Sequence, residues 1–524
     1  MKKKRSHAVT YAAFALSLVL SLAVAAMISC GGNTTSSTNP TTGTVNTYLS
    51  DPPTCTMDFE HVYVTITKVE ANLNSNAGPN DSGWQTLVDL SGNPQQVDLL
   101  SLNPTASPGF CGTLYLLGKT ALSPGTYQQI RMILMPNNGT VSGNKCDAGV
   151  NCVVPTSTNP NPPSYELQLS SQAQTGIKIP ASQIANGGLT VTAGQSTDFN
   201  IDFKTCESIV RQGNGQYRFK PVLHAGEVST NTNSITGKVV EGAGSPNPGM
   251  GIPNAIVLLE QPDTSTTPPT DRVILSGLTA QDGSFAFCPI ASNVSGSFDV
   301  VVAGTTTEGS TTTVYNPSVV FGVPVGGSTA SIPLFAETAS GGGGTGPAEI
   351  GGQITTQGTG STPIAGDVQL TALQTVTSGS NTVNLTIPVL DKSSTPSGDV
   401  TDSQPPVYTT DATTTGGCAT TSLDCVTYSL TLPASAVAVG TWDSTNGNNV
   451  TAPSSTNSAS YTLEGLADGS TPTTQNNTLL TCTSSPAISD PITVAPGDSV
   501  DQTTSGTGFS TLVLGLTGCT VPTP

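Results

Sequence analysis

Two of the three histidines, His61 and His224, lie in the part of the chain expected to fold, and each adjoins a predicted strand. Imidazole nitrogens and carboxylate oxygens together form a common ligand set for zinc and related metals. The two side chains could therefore meet across a sheet edge and bind a metal with Asp58 or Glu60. We favour the alternative, ordinary hydrogen-bonded or exposed histidines, because the sequence contains no HExxH or GxSxG motif. No cofactor is expected.

The segment from Asn72 to Gly83 is rich in side-chain oxygen atoms, the ligands that calcium prefers. These donors are Asn72, Asn74, Asn76, Asn80 and Asp81. A single carboxylate among four amides is too little negative charge for a strong calcium site. We therefore expect a solvated hairpin loop.

Trp84 and Trp442 are the two tryptophans of the chain. An exposed indole beside polar loops could stack on a sugar ring. A tryptophan that closes the core of a β-sandwich is the commoner arrangement, since the ring buries a large apolar area. We favour the core position for both, and keep sugar stacking as the alternative.

The cysteines indicate an oxidising compartment, because none is spaced as in a metal-binding CxxC motif. Two pairs lie close together in polar loops, Cys146 with Cys152 and Cys418 with Cys425, and we expect both to be disulfides. We also expect a third pair, Cys482 with Cys519. The pairing of the remaining thiols is left open; they are Cys55, Cys111, Cys206 and Cys288.

The N-terminus begins with a basic segment, Lys2 to Arg5, followed by an almost wholly apolar run from Tyr11 to Ile28. This run ends at Ser29-Cys30-Gly31 and resembles the bacterial lipoprotein signal, in which the cysteine becomes the lipid-modified first residue. A plain transmembrane anchor is the alternative, since about 20 apolar residues span a bilayer. We expect residues 1–29 to be a signal peptide, Cys30 to carry the lipid, and residues 30–44 to form a flexible tether.

Composition predicts an all-β protein without nucleic-acid partners. Hydrophobic residues make up 35% of the 524 residues and charged residues 10%, while Gly and Pro number 56 and 39. Such a composition disfavours helices and suits short strands joined by turns. The net charge of −18 repels phosphate backbones, which excludes nucleic acid as a partner.

Strand patterns are clearest between residues 45 and 228. Val62, Val64 and Ile66 alternate toward one face, and Val69, Ala71 and Leu73 follow in the opposite phase, so a bulge near Thr67-Lys68 is predicted. Two further strands are predicted to turn one set of side chains inward and the other to solvent. The inward residues are Ile130, Met132, Leu134, Phe199, Ile201 and Phe203, and the outward ones are Gln129, Arg131, Asp198, Asn200 and Asp202. Strands with one solvent-exposed face and one buried face indicate antiparallel sheets packed as a sandwich.

Several blocks in residues 45–228 resemble the bacterial lipoprotein domain of unknown function 4382. The blocks occur in the family's order and are Thr47 to Pro53, His61 to Val69, Gly125 to Arg131, Thr175 to Lys178 and Ser208 to Val222. The resemblance implies a β domain and a lipoprotein context. It implies no activity and no catalytic residues.

Residues 234–338 resemble a carboxypeptidase regulatory-like domain, a seven-stranded transthyretin-like sandwich. The resemblance is carried by Ile235 to Val240, Gly251 to Leu258 and Asp282 to Phe287. A Gly-rich linker is predicted at 339–347. Residues 348–524 repeat parts of the same pattern, at Ile350 to Ile354, Thr362 to Leu370 and Tyr461 to Leu466, and are expected to be an elaborated copy.

These observations favour a non-enzymatic protein, anchored by lipid in the bacterial cell envelope, that serves as a surface binding or interaction module. The expected partners are the membrane, through the N-terminal lipid, and an envelope protein or glycan. The outer membrane is the expected location, facing the periplasm or the surface. The alternatives are a carbohydrate-binding accessory lipoprotein in polymer uptake and a carboxylate- or metal-dependent hydrolase.

Overall fold

A computed structural model of the chain is built from β-strands, with one helical turn, α1 (Thr205–Ser208). The residues it describes are 41–51, 59–102 except 76 and 79, 114–169 except 158 and 160, 176–228 except 185–186, 204, 212–215 and 220–222, 234–287 except 265, 297–338, 346–358, 365–390 except 380, 425–501 except 472–477 and 482–486, and 511–514. In this part of the chain no helix is long and apolar enough to cross a bilayer. The predicted all-β fold class is confirmed.

The first predicted domain contains strands β1 to β15. They are β1 (Gly43–Ser50), β2 (Phe59–Asn72), β3 (Gln85–Asp89), β4 (Gln95–Asp98), β5 (Tyr115–Leu122), β6 (Gly125–Tyr127), β7 (Gln129–Leu134), β8 (Cys152–Pro155), β9 (Tyr165–Leu169), β10 (Ile177–Pro180), β11 (Leu189–Val191), β12 (Ser196–Phe203), β13 (Ile209–Arg211), β14 (Tyr217–Phe219) and β15 (Leu223–Val228). Short 3-10 turns occupy Leu99–Leu102 and Ala181–Gln183.

Two sheets enclose the core of this domain. One has four strands in the order β15-β12-β1-β5, and the other runs β10-β7-β2-β8-β9-β14-β13, with β3 and β4 also paired to β2. The apolar residues of both inner faces, such as Val64, Ile130, Phe199 and Phe203, form one cluster. The pairing is mixed, because β1 runs parallel to β12 and β14 runs parallel to β9.

The bulge predicted near Thr67-Lys68 is confirmed. The pairing of β2 with β7 shifts register between Ile66 and Lys68, so that Ile66 and Val69 both reach the core. Leu73 is the exception to the predicted pattern, since it lies beyond the end of β2 and is 50% exposed.

The strand faces that the sequence predicted to be exposed to solvent are largely buried, which corrects that expectation. Gln129, Arg131, Asn200 and Asp202 are all buried, although their apolar neighbours point into the core as predicted. Strands β7 and β12 lie inside their sheets, and both of their faces carry buried side chains. Strand alternation identifies which side a residue occupies, but it does not reveal whether that side is exposed.

The second predicted domain contains strands β16 to β24. They are β16 (Ile235–Glu241), β17 (Ile256–Asp263), β18 (Thr270–Leu278), β19 (Ser284–Phe287), β20 (Phe298–Ala303), β21 (Thr305–Glu308), β22 (Thr311–Val314), β23 (Ser318–Val323) and β24 (Ser328–Leu334). A three-stranded sheet, β19-β16-β24, faces the row β18-β17-β20-β23 across a core that includes Val257, Ile274 and Val300. Strands β21 and β22 form a separate hairpin.

The third predicted domain contains strands β25 to β35. They are β25 (Ala348–Gly358), β26 (Ala365–Ser378), β27 (Asn381–Thr386), β28 (Cys425–Leu432), β29 (Ala438–Thr441), β30 (Ala459–Thr471), β31 (Thr478–Thr481), β32 (Ala487–Ile488), β33 (Ile492–Val494), β34 (Ser499–Asp501) and β35 (Thr511–Leu514). Its pairing pattern matches that of the second domain. Strand β25 pairs antiparallel with β28 and parallel with β34, as β16 pairs with β19 and β24.

The second and third domains share one sheet, in the order β29-β23-β20-β17-β18-β27-β26-β30-β31. Strand β27 joins the edge of β18 through the pair Thr270 and Asn384, and β29 adds to the opposite edge, parallel to β23. A single apolar cluster contains residues of both domains, among them Leu258 and Val301 with Leu370 and Tyr461. The two predicted sandwiches are therefore packed as one body across a common core.

Residues 434–451, which we call the strap, reach from the third domain onto the second. Strand β29 lies within the strap, and Ala438 N–H and Trp442 N–H donate to Pro317 O and Phe321 O at 2.8 Å. The Asn448 amide also donates to the carbonyl of Ser331 at 2.8 Å. The strap thus closes the exposed edge of β23 with backbone and side-chain hydrogen bonds.

Candidate functional site

A row of polar side chains crosses three strands of the four-stranded sheet in the first domain. Ser50 of β1, Asp202 of β12 and His224 of β15 occupy one register position, on the face opposite the apolar core. All three are buried. We call these residues the polar row, and it is the strongest candidate site in the region that resembles a known family.

Side-chain hydrogen bonds organise the polar row. Ser50 Oγ donates to Asp202 Oδ1 at 2.9 Å and accepts from Asn200 Nδ2 at 2.7 Å. The adjacent carboxylate of Asp51 is also buried and accepts from Thr205 N–H, at the start of α1, at 3.1 Å. Asp202 is thus held by a hydroxyl donor and Asp51 by a backbone donor, while the Asn200 amide holds the Ser50 hydroxyl.

The same face of the sheet becomes more exposed toward the beginning of β1. There Asn46 Nδ2 donates to Asp198 Oδ1 at 2.5 Å and to Ser196 Oγ at 3.3 Å. Asn46 and Asp198 are half-buried and Ser196 is exposed. A strip of amide, hydroxyl and carboxylate groups therefore runs from solvent to the buried polar row.

The order of groups in the polar row does not suit a serine nucleophile. In such sites the imidazole accepts the hydroxyl proton, and a carboxylate lies behind the imidazole. Here the Ser50 proton is directed at Asp202, and Asp202 occupies the strand between Ser50 and His224. The arrangement is suited to holding a polar group or joining strands, and not to activating a hydroxyl group.

His61 lies in the other sheet of the first domain. Its Nδ1 is 2.7 Å from Asp98 Oδ2, its ring stacks on Tyr63, and its side chain is 45% exposed. Burial and then the charge of Asp98 raise the pKa of Tyr63. Because His61 is on β2 and His224 on β15, the structure does not bring the two predicted ligands together at one sheet edge.

The other predicted metal ligands give no common site either. Glu60 is exposed on β2, and Asp58 lies outside the described residues. Within the described ranges, no three His, Cys, Asp or Glu side chains form a group suited to a metal ion.

Oxygen atoms of the Asn72–Gly83 loop are used in its own turns. Asn72 Oδ1 accepts from Asn74 N–H at 2.9 Å, and Asp81 Oδ2 accepts from Gly78 N–H at 2.9 Å. Asn76 lies outside the described residues. The contacts match those expected of a hairpin loop.

Both tryptophans are half-buried and tied to the structure. Trp84 Nε1 donates to Gly78 O at 2.9 Å, and the Arg131 guanidinium lies 4.0 Å from the ring centroid. Trp442 belongs to the strap, packs against the second-domain core and donates from Nε1 to Ser328 O at 3.1 Å. The face of Trp84 under Arg131 is thus occupied, which weakens the sugar-stacking interpretation at that residue.

The predicted disulfide between Cys146 and Cys152 is confirmed. Cys425 begins β28, Cys206 lies in α1, and the side chains of both are outside the described part of the chain. The remaining cysteines also lie outside it, so their predicted roles stay predictions; they are Cys30, Cys55, Cys111, Cys288, Cys418, Cys482 and Cys519.

A second polar site, which the sequence analysis missed, lies where the second and third domains meet. Arg272 of β18 is buried and donates to Glu464 of β30 through two nitrogens, at 2.5 and 3.1 Å. Its Nε lies 3.6 Å from Asp263 Oδ2. One buried cation thus bridges carboxylates from both domains.

Three more carboxyl groups lie beside this ion pair: Glu260, Asp271 and Asp299, which we call the carboxyl cluster. Burial and the charge of Asp271 raise the pKa of Glu260 well above its usual value. Burial and the charge of Asp299 do the same for Asp271, and burial raises the pKa of Asp299. A sequence signal existed, because Glu260 and Asp271-Arg272 interrupt apolar strands in a chain with only 10% charged residues.

Glu337 lies at the end of the second domain and holds the start of the strap. Its Oε1 accepts from Ala434 N–H at 2.6 Å and from Ser435 Oγ at 2.7 Å. Burial raises the pKa of Glu337 to about 7, although both hydrogen bonds favour the charged form. This carboxyl group therefore titrates close to neutral pH.

A model of a known family matches the first domain. Residues 42–221 match the family model described as Domain of unknown function (DUF4382), in agreement with the resemblance noted in the sequence. This family description names no activity. No curated protein matches the chain.

Several solved structures show weak similarity to the chain. The Bacillus anthracis TIE protein is 10% identical with a TM-score of 0.14, and the match covers 88% of this chain and 50% of that one. The minor pilin GBS52 of Streptococcus agalactiae is 10% identical with a TM-score of 0.16, and the match covers 56% of this chain and 97% of that one. The chain thus spans about half the length of the TIE protein. TM-scores this low do not establish a common fold, and the fold assignment rests on the strand pairing described above.

Proposed function

We propose that this chain is a non-enzymatic cell-envelope protein, anchored through a lipid on Cys30, that serves as a binding or interaction module. The supporting observation is that the second and third domains share one sheet and one core. Such a body is a stiff support on which exposed loops and sheet faces can be presented. In the polar row, the Ser50 hydroxyl is directed at Asp202 on the neighbouring strand and not at a histidine.

The lipid anchor is supported by the N-terminal sequence, in which the apolar run ends at Cys30. We expect wild type to incorporate labelled palmitate and to fractionate with membranes. The Cys30→Ser variant should remain uncleaved or become soluble, without label. Cys146→Ser is a matched control, because it removes a cysteine of the folded part. Wild type that keeps residues 1–29 and carries no label would exclude the anchor.

The binding role is tested with the lipid-free chain, residues 31–524. We expect saturable binding to an envelope protein or a polysaccharide in a screen of envelope extracts and purified glycans. Variants at the exposed end of the polar face, Asn46→Ala and Asp198→Asn, show whether that surface is used. Thr307→Ala, on the exposed hairpin of β21 and β22, is the control from another domain.

A carbohydrate-binding accessory protein in polymer uptake remains the alternative. It predicts that Trp442→Phe or Trp84→Phe weakens binding to a polysaccharide without loss of folding. The contacts of both indoles with the protein itself favour the first proposal.

The proposal includes the absence of turnover. The lipid-free chain should hydrolyse no common glycosides, esters or peptides, with or without divalent metal. If activity appears, and His61→Ala or His224→Ala abolishes it in a folded variant, the first domain is a hydrolase and the proposal is wrong.

A further inference from the structure

The carboxyl cluster lies on the face of the second domain that packs against the third. Glu260 of β17 pairs in register with Asp299 of β20. Its other register partner, Val273 of β18, and the next inward residue of β20, Val301, belong to the apolar core that both domains share. Glu260 and Asp271 thus border the shared core and are fully buried, while Asp299 is half-buried beside them.

Thr386 of β27, in the third domain, hydrogen-bonds to the cluster. Thr386 N–H donates to Glu260 Oε2 at 3.3 Å, and Thr386 Oγ1 donates to the backbone carbonyl of Asp271 at 2.9 Å. Asn384, two residues earlier, forms the register pair that joins β27 to β18. The cluster therefore lies beside the hydrogen bonds that connect the two domains.

Donors are scarce around these carboxyl groups. Asp299 Oδ1 accepts from Gly322 N–H at 2.8 Å. Among the described residues, no donor reaches either side-chain oxygen of Asp271 or Oε1 of Glu260, and both residues are fully buried. The carboxyl groups of Asp271 and Asp299 interact with each other directly. A proton shared between them is the group that can complete this contact.

The nearby charges do not neutralise the cluster. Strands β17, β18 and β30 contribute Asp263, Arg272 and Glu464, and Arg272, the one cation named there among the described residues, already bridges the two carboxylates. Strand β27 contributes the hydroxyl and N–H of Thr386. Three neighbouring carboxyl groups, two of them fully buried, cannot all ionise without a large electrostatic cost.

We infer that the carboxyl cluster is a proton-dependent lock between the second and third domains. With a proton held by the cluster, β18 and β27 stay joined and the shared core stays closed. When all three carboxyl groups are ionised, their repulsion loosens the junction at β27. This inference is independent of the proposed function, since it concerns the contact between domains and not the ligand.

The direction of the pH effect follows from the raised pKa values of these carboxyl groups. A carboxyl group whose pKa is higher in the folded state stabilises the fold fully below its unfolded pKa, near 4. That stabilisation is lost as the pH rises through the folded pKa. The junction should therefore be tightest in acid and weaken toward alkaline pH.

The test is hydrogen exchange of the full chain at pH 5.0 and pH 8.5, with rates corrected for the intrinsic effect of pH on exchange. Peptides covering β18 and β27 should lose about tenfold or more in protection at pH 8.5, the effect of one pKa unit. Peptides covering β2 should keep theirs. Two results with wild type would overturn the inference. One is equal protection of β27 at both pH values, and the other is a loss of protection in β2 as large as that in β27.

Variants assign the effect to the cluster. Asp271→Asn and Glu260→Gln each remove an ionisable group. Each should therefore abolish most of the loss of exchange protection that β27 shows at pH 8.5. Glu308→Gln, on the exposed β21–β22 hairpin, is the control and should lose as much protection at β27 as wild type does. If a folded Asp271→Asn or Glu260→Gln variant still loses as much protection at β27 as wild type, other groups control the junction. The lock would then be rejected.

Discussion

The polar row of the first domain and the carboxyl cluster at the second–third junction bury carboxyl groups in different ways. In the polar row, Ser50 Oγ donates to Asp202 and Thr205 N–H donates to Asp51. In the carboxyl cluster, no donor among the described residues reaches the side-chain oxygens of Asp271. Glu260 and Asp299 of the carboxyl cluster each accept one backbone N–H, so the difference between the two sites lies at Asp271 and in the closeness of the three carboxyl groups.

The two sites differ in whether their contacts cross a domain boundary, and not in sequence distance. Ser50 and Asp202 are 152 residues apart but lie on adjacent strands of one domain. At the junction, Arg272 of the second domain pairs with Glu464 of the third. Donors on neighbouring strands are supplied by the fold of one domain, whereas the junction depends on two domains closing on each other.

The largest predicted effect is at Arg272. Arg272→Met removes the cation and leaves Glu464 and Asp263 buried without compensation, which should cost about 3–5 kcal/mol of the free energy of unfolding. Urea unfolding followed by a signal from the second and third domains measures the loss. Lys68→Met is the matched control, because Lys68 contacts Glu70 from a partly exposed position, and should cost less than about 1 kcal/mol. Equal effects of the two substitutions would contradict the assignment of Arg272 as the central cation.

An intermediate effect is expected in the polar row. Asp202→Ala leaves the Ser50 hydroxyl without its acceptor and should cost about 1–3 kcal/mol. Asp198→Ala, at the exposed end of the same strand face, should cost less than about 1 kcal/mol. A double-mutant cycle with Ser50→Ala separates the hydrogen bond from other effects of losing Asp202. A coupling energy near zero would show that the Ser50–Asp202 bond does not organise the row.

The sequence predicted the class of fold and several local details, because these depend on short-range patterns. The phase change between Ile66 and Val69 revealed the bulge, and the six-residue separation of Cys146 and Cys152 revealed the disulfide. The burial of Arg131, Asn200 and Asp202 could not be predicted in this way, since alternation does not show what covers the second face of a strand. The shared sheet was also missed, because the Gly-rich segment indicated separate domains and the contact of Thr270 with Asn384 leaves no local pattern.

The smallest predicted effect is at Glu337, the carboxyl group that contacts the strap. Its effect on stability should depend on pH. Its pKa of about 7 lies above the usual value of 4.5, so its stabilisation is complete below about pH 4.5 and is lost as the pH rises through 7. Glu337→Gln keeps an oxygen acceptor for Ala434 N–H and Ser435 Oγ but cannot ionise. Solvent near this half-buried group limits the effect to about 1–2 kcal/mol.

The measurement for Glu337 is the difference in the free energy of unfolding between wild type and Glu337→Gln, taken from pH 5 to pH 8.5. Because burial disfavours the charged carboxylate, this difference should shift in favour of the variant as the pH rises, with a midpoint near 7. The carboxyl cluster is present in both proteins, so its contribution cancels. A difference that stays constant across this range would show that Glu337 is ionised at both ends, and that its two hydrogen bonds outweigh its burial.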